Sequence, residues 1–216
     1  MELSPGIIAR GPWREDQVHV SWNEELFEPP AVAARAADQA IKELAARGSP
    51  SHDGMSMRLV DLRASATALE LELQPIRWAL RLSPTDALQS LAAMCAVRAA
   101  DGRWLAGRRA DWLASWPGRW ALGAGGSVDP GESPVQTLHR ELAEEWSVRA
   151  QQMTIEALLL LEQRLVLFIG VAWLAPDARP VADSEHSGYA WWPPQPDRWP
   201  SEADGDVREM GLLLAS

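Results

Sequence analysis

The chain has 216 residues, 47% of them hydrophobic, a formal net charge of -10 and one cysteine. That apolar share excludes a disordered chain and suits one generous domain or a domain plus a smaller module. The negative charge argues against nucleic acid or an anionic membrane as partner, while a small phosphorylated ligand stays open because a metal can carry local positive charge.

Taken in chain order, Gln17 to Trp22 alternates like a strand, and Pro29 to Arg47 is an Ala-rich helix ending at Gly48. Ser49 to Gly54 makes a loop, Met55 to Leu62 and Thr67 to Leu73 alternate like paired strands, and Ile76 to Leu82 suggests a further short one. Residues 1–85 therefore read as a small α/β module. A short helix is expected near Asp86 to Leu91, then a strand from Ala92 to Arg98, a turn at Ala100-Asp101-Gly102 and a returning strand to Arg109. Trp112, Trp116 and Trp120 follow in a loop, where their rings serve packing or offer faces for a base. Later, Thr154 to Leu161 and Leu165 to Leu174 form a hairpin across Glu162-Gln163-Arg164. The longest apolar run, Leu165 to Ala175, is too short to span a bilayer and reads as a buried strand. An acidic loop with Asp183, Glu185 and His186 leads into the aromatic strand Tyr189 to Trp192, and Asp206 to Leu214 closes the chain as a helix. Cys95 permits no internal disulfide and Met1-Glu2-Leu3-Ser4 begins no basic, apolar leader, so a cytoplasmic protein is expected.

The stretch Gly126 to Val148 carries the chemistry. Ser133 is a good N-cap, Pro134 suits the first helical position, and Val135, Leu138, Leu142 and Trp146 recur at helical spacing, which predicts a helix over 134–146. At about 100° per residue, Glu141, Glu144 and Glu145 share an arc of roughly 100°, with Arg140 just past its edge. Three carboxylates beside one certain cation repel one another, and hard anionic oxygens of this kind suit magnesium or manganese. A solvated acidic face is the plain alternative.

The spacing itself is longer than a helix: Gly126, five residues, Glu132, seven residues, Arg140-Glu141-Leu142, one residue, Glu144-Glu145 and finally Val148. This resembles the Nudix box, with Ser147 where the pattern places a second glycine. A left-handed residue there costs a serine on the order of 1 kcal/mol. The resemblance implies an α/β/α sandwich around a mixed sheet over residues 86–216, with residues 1–85 as the smaller module. It implies a magnesium (or manganese) site made by Glu141, Glu144, Glu145 and the Gly126 carbonyl, with Arg140 orienting carboxylates and Glu132 and Gly125 supporting the loop. Arg108 and Arg109 stand where the family often places cations for substrate phosphate, though two arginines at a strand end are commonly just solvated. Glu185 is the first candidate and Asp183 the second for an extra ligand or general base before the aromatic strand, against a solvated loop carboxylate.

The implied reaction is hydrolysis of a diphosphate linkage in a small nucleotide substrate. Scattered matches in the front segment, from Trp22 through Asp53-Gly54 and Arg58-Leu59 to Ser83-Pro84, are similar to UDP-sugar-hydrolysing members. Nucleoside triphosphate housecleaning is the enzymatic rival, and a catalytically silent ligand-sensing domain is the rival of another class.

Overall fold

The computed structural model describes residues 4–50 and 53–215; Ser51 and His52 of the expected loop lie outside them. Eleven strands and three helices are present among the described residues. β1 (Gly6–Arg14), β9 (Gln152–Leu160), β10 (Val166–Trp173), β5 (Leu91–Arg98), β6 (Trp104–Arg109) and β11 (His186–Trp192) lie in that order in one sheet. The short strands β7 (Trp120–Leu122) and β8 (Ala124–Ser127) attach to β6 and β5. Only β10 and β5 run parallel in it; the other pairs are antiparallel, so the sheet is mixed. A second sheet has the order β2 (Val18–Trp22), β4 (Leu69–Arg77), β3 (Met55–Ala64).

β10 explains why its run is apolar without alternation. Val166, Phe168 and Ala172 face one core, while Leu167, Ile169 and Val171 face another. A strand covered on both sides loses the polar half of its period. On the first face sits α2 (Pro134–Trp146), whose Leu138, Leu142 and Trp146 are fully buried. Burying each such side chain contributes roughly 1.5–3 kcal/mol. The same core takes in Met57 and Leu59 of β3 and Leu69, Leu71 and Leu73 of β4, so the small sheet packs beside α2. On the other face, α3 (Gly205–Ala215) contributes Leu214 to a core with Trp104, Trp192 and Trp199. The large sheet is thereby layered between helices, as an α/β/α sandwich requires. α1 (Ala31–Ala46) packs separately, with Ala37 against Ile76, Ala79 and Leu80.

α2 can approach the sheet closely because β10 carries Gly170 under it. A Cβ there would lie 2.5 Å from Leu138 Cδ1, well inside van der Waals contact. The helix begins with a reciprocal cap: Ser133 Oγ accepts Gln136 N (3.2 Å) and Gln136 Oε1 accepts Ser133 N (2.8 Å). It ends at Ser147, which takes the left-handed conformation (φ 55°).

Two expectations are corrected, and one strand was not foreseen. Ile76 to Leu82 is not a separate strand: β4 extends to Arg77, and Trp78–Leu82 winds into a 3₁₀ turn. Asp53 Oδ1 accepts Ala79 N (3.1 Å) and Gly54 O accepts Trp78 N (2.8 Å), fixing that turn. Asp86 to Leu91 is not helical, because Leu88 and Gln89 both have positive φ (52° and 58°). The Arg58 guanidinium holds them there by donating to Leu88 O (2.9 Å) and Gln89 Oε1 (2.7 Å). Finally, β1, which the sequence left unassigned within residues 1–85, pairs with β9 as an edge of the large sheet. No helix of the described residues is long and apolar enough to cross a membrane.

Candidate active site

β8 delivers Gly125 and Gly126 to the face that α2 covers, by pairing with Met94 and Ala93 of β5. Glu145 turns inward there and is only 2% exposed. Its Oε1 accepts Gly125 N at 2.8 Å, while Oε2 meets no hydrogen-bond donor among the described residues. The nearest ring nitrogen, His186 Nε2, is 3.4 Å away, too far for a good hydrogen bond. Burial first, then the Glu141 and Glu185 charges, push the Glu145 carboxyl well above the usual range, against the opposing Gly125 N–H and Arg109.

Glu141 lies against the other glycine. A Cβ on Gly126 would come within 1.9 Å of Glu141 Oε1, so the absent side chain is the space that carboxylate occupies. Its pKa is raised by burial, which outweighs the nearby Arg140. Arg140 links the acidic groups. Its Nη1 donates to Glu141 Oε1 (2.7 Å) and Glu144 Oε2 (3.1 Å), its Nε to Glu132 Oε1 (3.1 Å), and its Nη2 to Glu132 Oε2 (3.0 Å) and Ser127 O (3.2 Å). Burial pulls its pKa down, yet the hydrogen bonds and charges of Glu132 and Glu141 prevail and hold it above the ordinary value. Thr137 Oγ1 donates to Glu132 Oε2 at 2.9 Å, fixing the second carboxylate that faces Arg140.

The three box glutamates thus differ more than their shared arc suggests. Glu145 is enclosed, Glu141 is mostly covered, and the Glu144 side chain is 59% exposed. Among the described residues, no three His, Cys, Asp or Glu side chains already converge closely enough to hold an ion. The donor set still fits a hard divalent cation, because Glu145 Oε2 is a buried carboxylate oxygen without a donor and Glu144 is free to swing from Arg140.

Glu141 borders a cavity of about 770 Å³. Glu141, Glu185, Arg109 and Arg140 are among the charged residues that line it, together with Trp112, Trp116 and Trp120. Arg108 does not join them: it is exposed and donates its Nε to Gly118 O (3.2 Å), since successive strand residues point to opposite faces. Trp120 also packs on Trp192, with ring centroids 5.5 Å apart, so it serves the core and the cavity together. Glu185 is held by its backbone, its N–H donating to Asp183 Oδ1 (2.9 Å) and its carbonyl accepting Ala110 N (2.8 Å). Burial, then Asp183, raise its pKa, with Arg109 opposing. Asp183 turns away, its Oδ1 lying 3.3 Å from His186 Nδ1.

Two features escaped the sequence reading. His186 lies beside Glu145, its ring tilted against Trp146 at 4.3 Å between centroids, and burial lowers its pKa against the opposing Asp183. A histidine at the start of an aromatic strand hints at this only weakly. The other is Arg81, which lines the cavity from the 3₁₀ turn of the front segment, where no motif marks it.

Gly126→Ala is expected to displace Glu141, because the end of that side chain is the flexible party to the clash. Turnover should drop about 100-fold while the melting temperature changes little. Steady-state kinetics beside a thermal melt checks this; an active alanine variant would mean that the Glu141 position is immaterial.

The sequence model of the NUDIX domain matches residues 88–203, more than half of the chain. The chain is similar to the solved structure of DR0079 from Deinococcus radiodurans at 18% identity and a TM-score of 0.51, over 74% of this chain and 98% of that one. It is also similar to the NUDIX domain of Shewanella oneidensis NrtR, solved with ADP ribose, at 20% identity and a TM-score of 0.47, over 63% of this chain and 96% of that one. A C. elegans Ap4A hydrolase binary complex matches at 25% identity and a TM-score of 0.41, over 57% and 92% of the two chains. No curated protein sequence matches.

Proposed function

The chain belongs to the Nudix family, and on that premise we propose that it hydrolyses the diphosphate linkage of a nucleoside diphosphate joined to another moiety. The observation that carries this reading is the enclosed Glu145 carboxylate with one oxygen lacking a donor, one turn along α2 from Glu141, which lines the cavity. An unpaired buried carboxylate is costly, and a cation is the partner that offsets it.

Glu141, Glu144, Glu145 and the Gly126 carbonyl would hold magnesium or manganese, which supplies Lewis acidity and charge neutralisation at the diphosphate oxygens. Arg140 keeps Glu132 and Glu141 in place. Glu185, at the cavity wall with a raised pKa, accepts the proton of the attacking water, with Glu141 the second candidate from the box. Water adds to phosphorus, the bridging P–O bond breaks, and the products are a nucleoside monophosphate and a second phosphorylated fragment.

The test is a panel of UDP-glucose, ADP-ribose, dinucleoside polyphosphates and nucleoside triphosphates with and without magnesium. Metal-dependent release of phosphorylated product from a diphosphate-linked compound is expected. Preference for UDP-glucose, lost on altering the front segment's cavity wall, supports the UDP-sugar reading. Turnover confined to triphosphates selects the housecleaning reading, and binding without turnover selects a ligand sensor.

A further inference from the structure

The turn Trp78–Leu82 of the front segment brings Trp78 and Arg81 to the cavity. Ala79 and Leu80 of Trp78–Leu82 are buried in the core shared with α1, and Asp53 and Gly54 hold the turn's backbone. Its polar side is therefore presented at a set position. Trp78 Nε1 donates to Ser127 Oγ at 2.9 Å, and Arg81 Nη1 donates to the same hydroxyl. Ser127 is the residue after Gly126, so Arg81 stands at the edge of the box, seven residues before the NUDIX match begins.

Arg109 of β6 lines the same cavity. Both arginines are desolvated; Arg81 feels Arg109 as a charge of the same sign, while the charges acting on Arg109 are those of Glu145, Glu185 and Glu141. Burial, then Arg109, push the Arg81 guanidinium down to about 10, and burial likewise lowers Arg109. Among the described residues neither forms an ion pair: Arg109 donates its Nε to Ser115 O (3.0 Å) and Arg81 to Ser127 Oγ. Glu141, the carboxylate whose charge Arg81 feels, is already engaged by Arg140 at 2.7 Å. Both guanidiniums line one cavity, and among the described residues each uses one of its five N–H donors in a hydrogen bond. Guanidinium donors left open toward a cavity suit an oxyanion, and their planar fork matches phosphate geometry.

We propose that Arg81 and Arg109 form a clamp for a phosphate group of the substrate, so that the segment before the NUDIX domain completes the active site within the same chain. This rests on the reading that the cavity takes a diphosphate-containing nucleotide. A clamp at the cavity wall holds one phosphate while the box glutamates serve the linkage being cut.

The rival is a structural role, in which Arg81 merely ties the turn to Ser127. The test is calorimetric titration of the full chain with methylenediphosphonate, a diphosphate that cannot be hydrolysed, in saturating magnesium. Arg81→Gln and Arg109→Gln are each expected to weaken binding about tenfold or more. Arg35→Gln, on the exposed side of α1, should bind like the parent. Arg81→Gln with parental affinity overturns the clamp, whether or not Arg109→Gln weakens binding, and so does a parent protein that binds no diphosphonate. If Arg81→Gln fails to fold, Arg81→Lys decides: it keeps the charge without the fork, so a loss of threefold or more supports the clamp and parental affinity overturns it. Because binding is read, a failed clamp and a failed hydrolysis reading, the latter judged by the substrate panel, are separate results.

Discussion

Glu145→Gln should lose at least about 100-fold in kcat and, in the absence of metal, melt at a higher temperature than the parent. The two effects share one cause. Glu145 is enclosed, and its charge is opposed by burial and by the neighbouring Glu141 and Glu185. A glutamine of the same shape keeps the Oε1 that accepts Gly125 N, removes the desolvated charge, and turns an N–H₂ toward the His186 ring nitrogen 3.4 Å from the present Oε2. Stability therefore rises as the chemistry is lost, which is the usual relation where a site stores unfavourable charge. Kinetics in magnesium and melting in chelator measure both. Retained activity would remove Glu145 from the chemistry; lost activity with a lower melting temperature would mean that its role is structural.

Magnesium should stabilise the protein more at pH 8 than at pH 5. Glu141, Glu145 and Glu185 all have pKa values raised in the fold, each chiefly by burial. Below the ordinary carboxylate range, folded and unfolded chains are both protonated at these groups and burial carries no charge penalty. As pH rises, the unfolded chain releases its protons first, so the contribution of these groups to stability declines until the folded carboxyls ionise too. Ionised carboxylates are also the form that binds a cation, and at a hundredfold excess over Kd binding adds about 2.7 kcal/mol. For a chain of this size that corresponds to a few degrees, roughly 5–10 °C at most. Comparing melts with and without magnesium at each pH cancels ionisations elsewhere. An equal magnesium shift at both pH values would show that the ion binds away from these carboxylates, and Glu145→Gln should shrink the shift at pH 8.

Much of this could be read before folding was considered. The limits of α2 followed from Ser133, Pro134 and the Leu138-Leu142-Trp146 stripe, because caps and helical period are local properties. The hairpin of β9 and β10 followed from two apolar runs across a short polar turn. The left-handed Ser147 matches what the family glycine at that position would adopt, while the sequence by itself left the loop geometry there open. The failures have a common origin in distant partners. Leu88 and Gln89 have positive φ where Arg58, 30 residues away in chain, captures their turn. β1 is a strand because β9 pairs with it, more than a hundred residues later.

The site divides the same way. By itself the sequence determined the family, the reaction chemistry it implies and the helix carrying Glu141, Glu144 and Glu145, since spacing along one helix places them on one strip. Only the tertiary structure decided that Glu145 is enclosed, Glu141 covered and Glu144 exposed, because a helical strip has angles but no neighbours until β8 packs against it. It also separated Arg109 from Arg108 and brought Arg81 beside the box. Those outcomes depend on which surfaces meet, and burial, unlike periodicity, is a property of the whole packed chain.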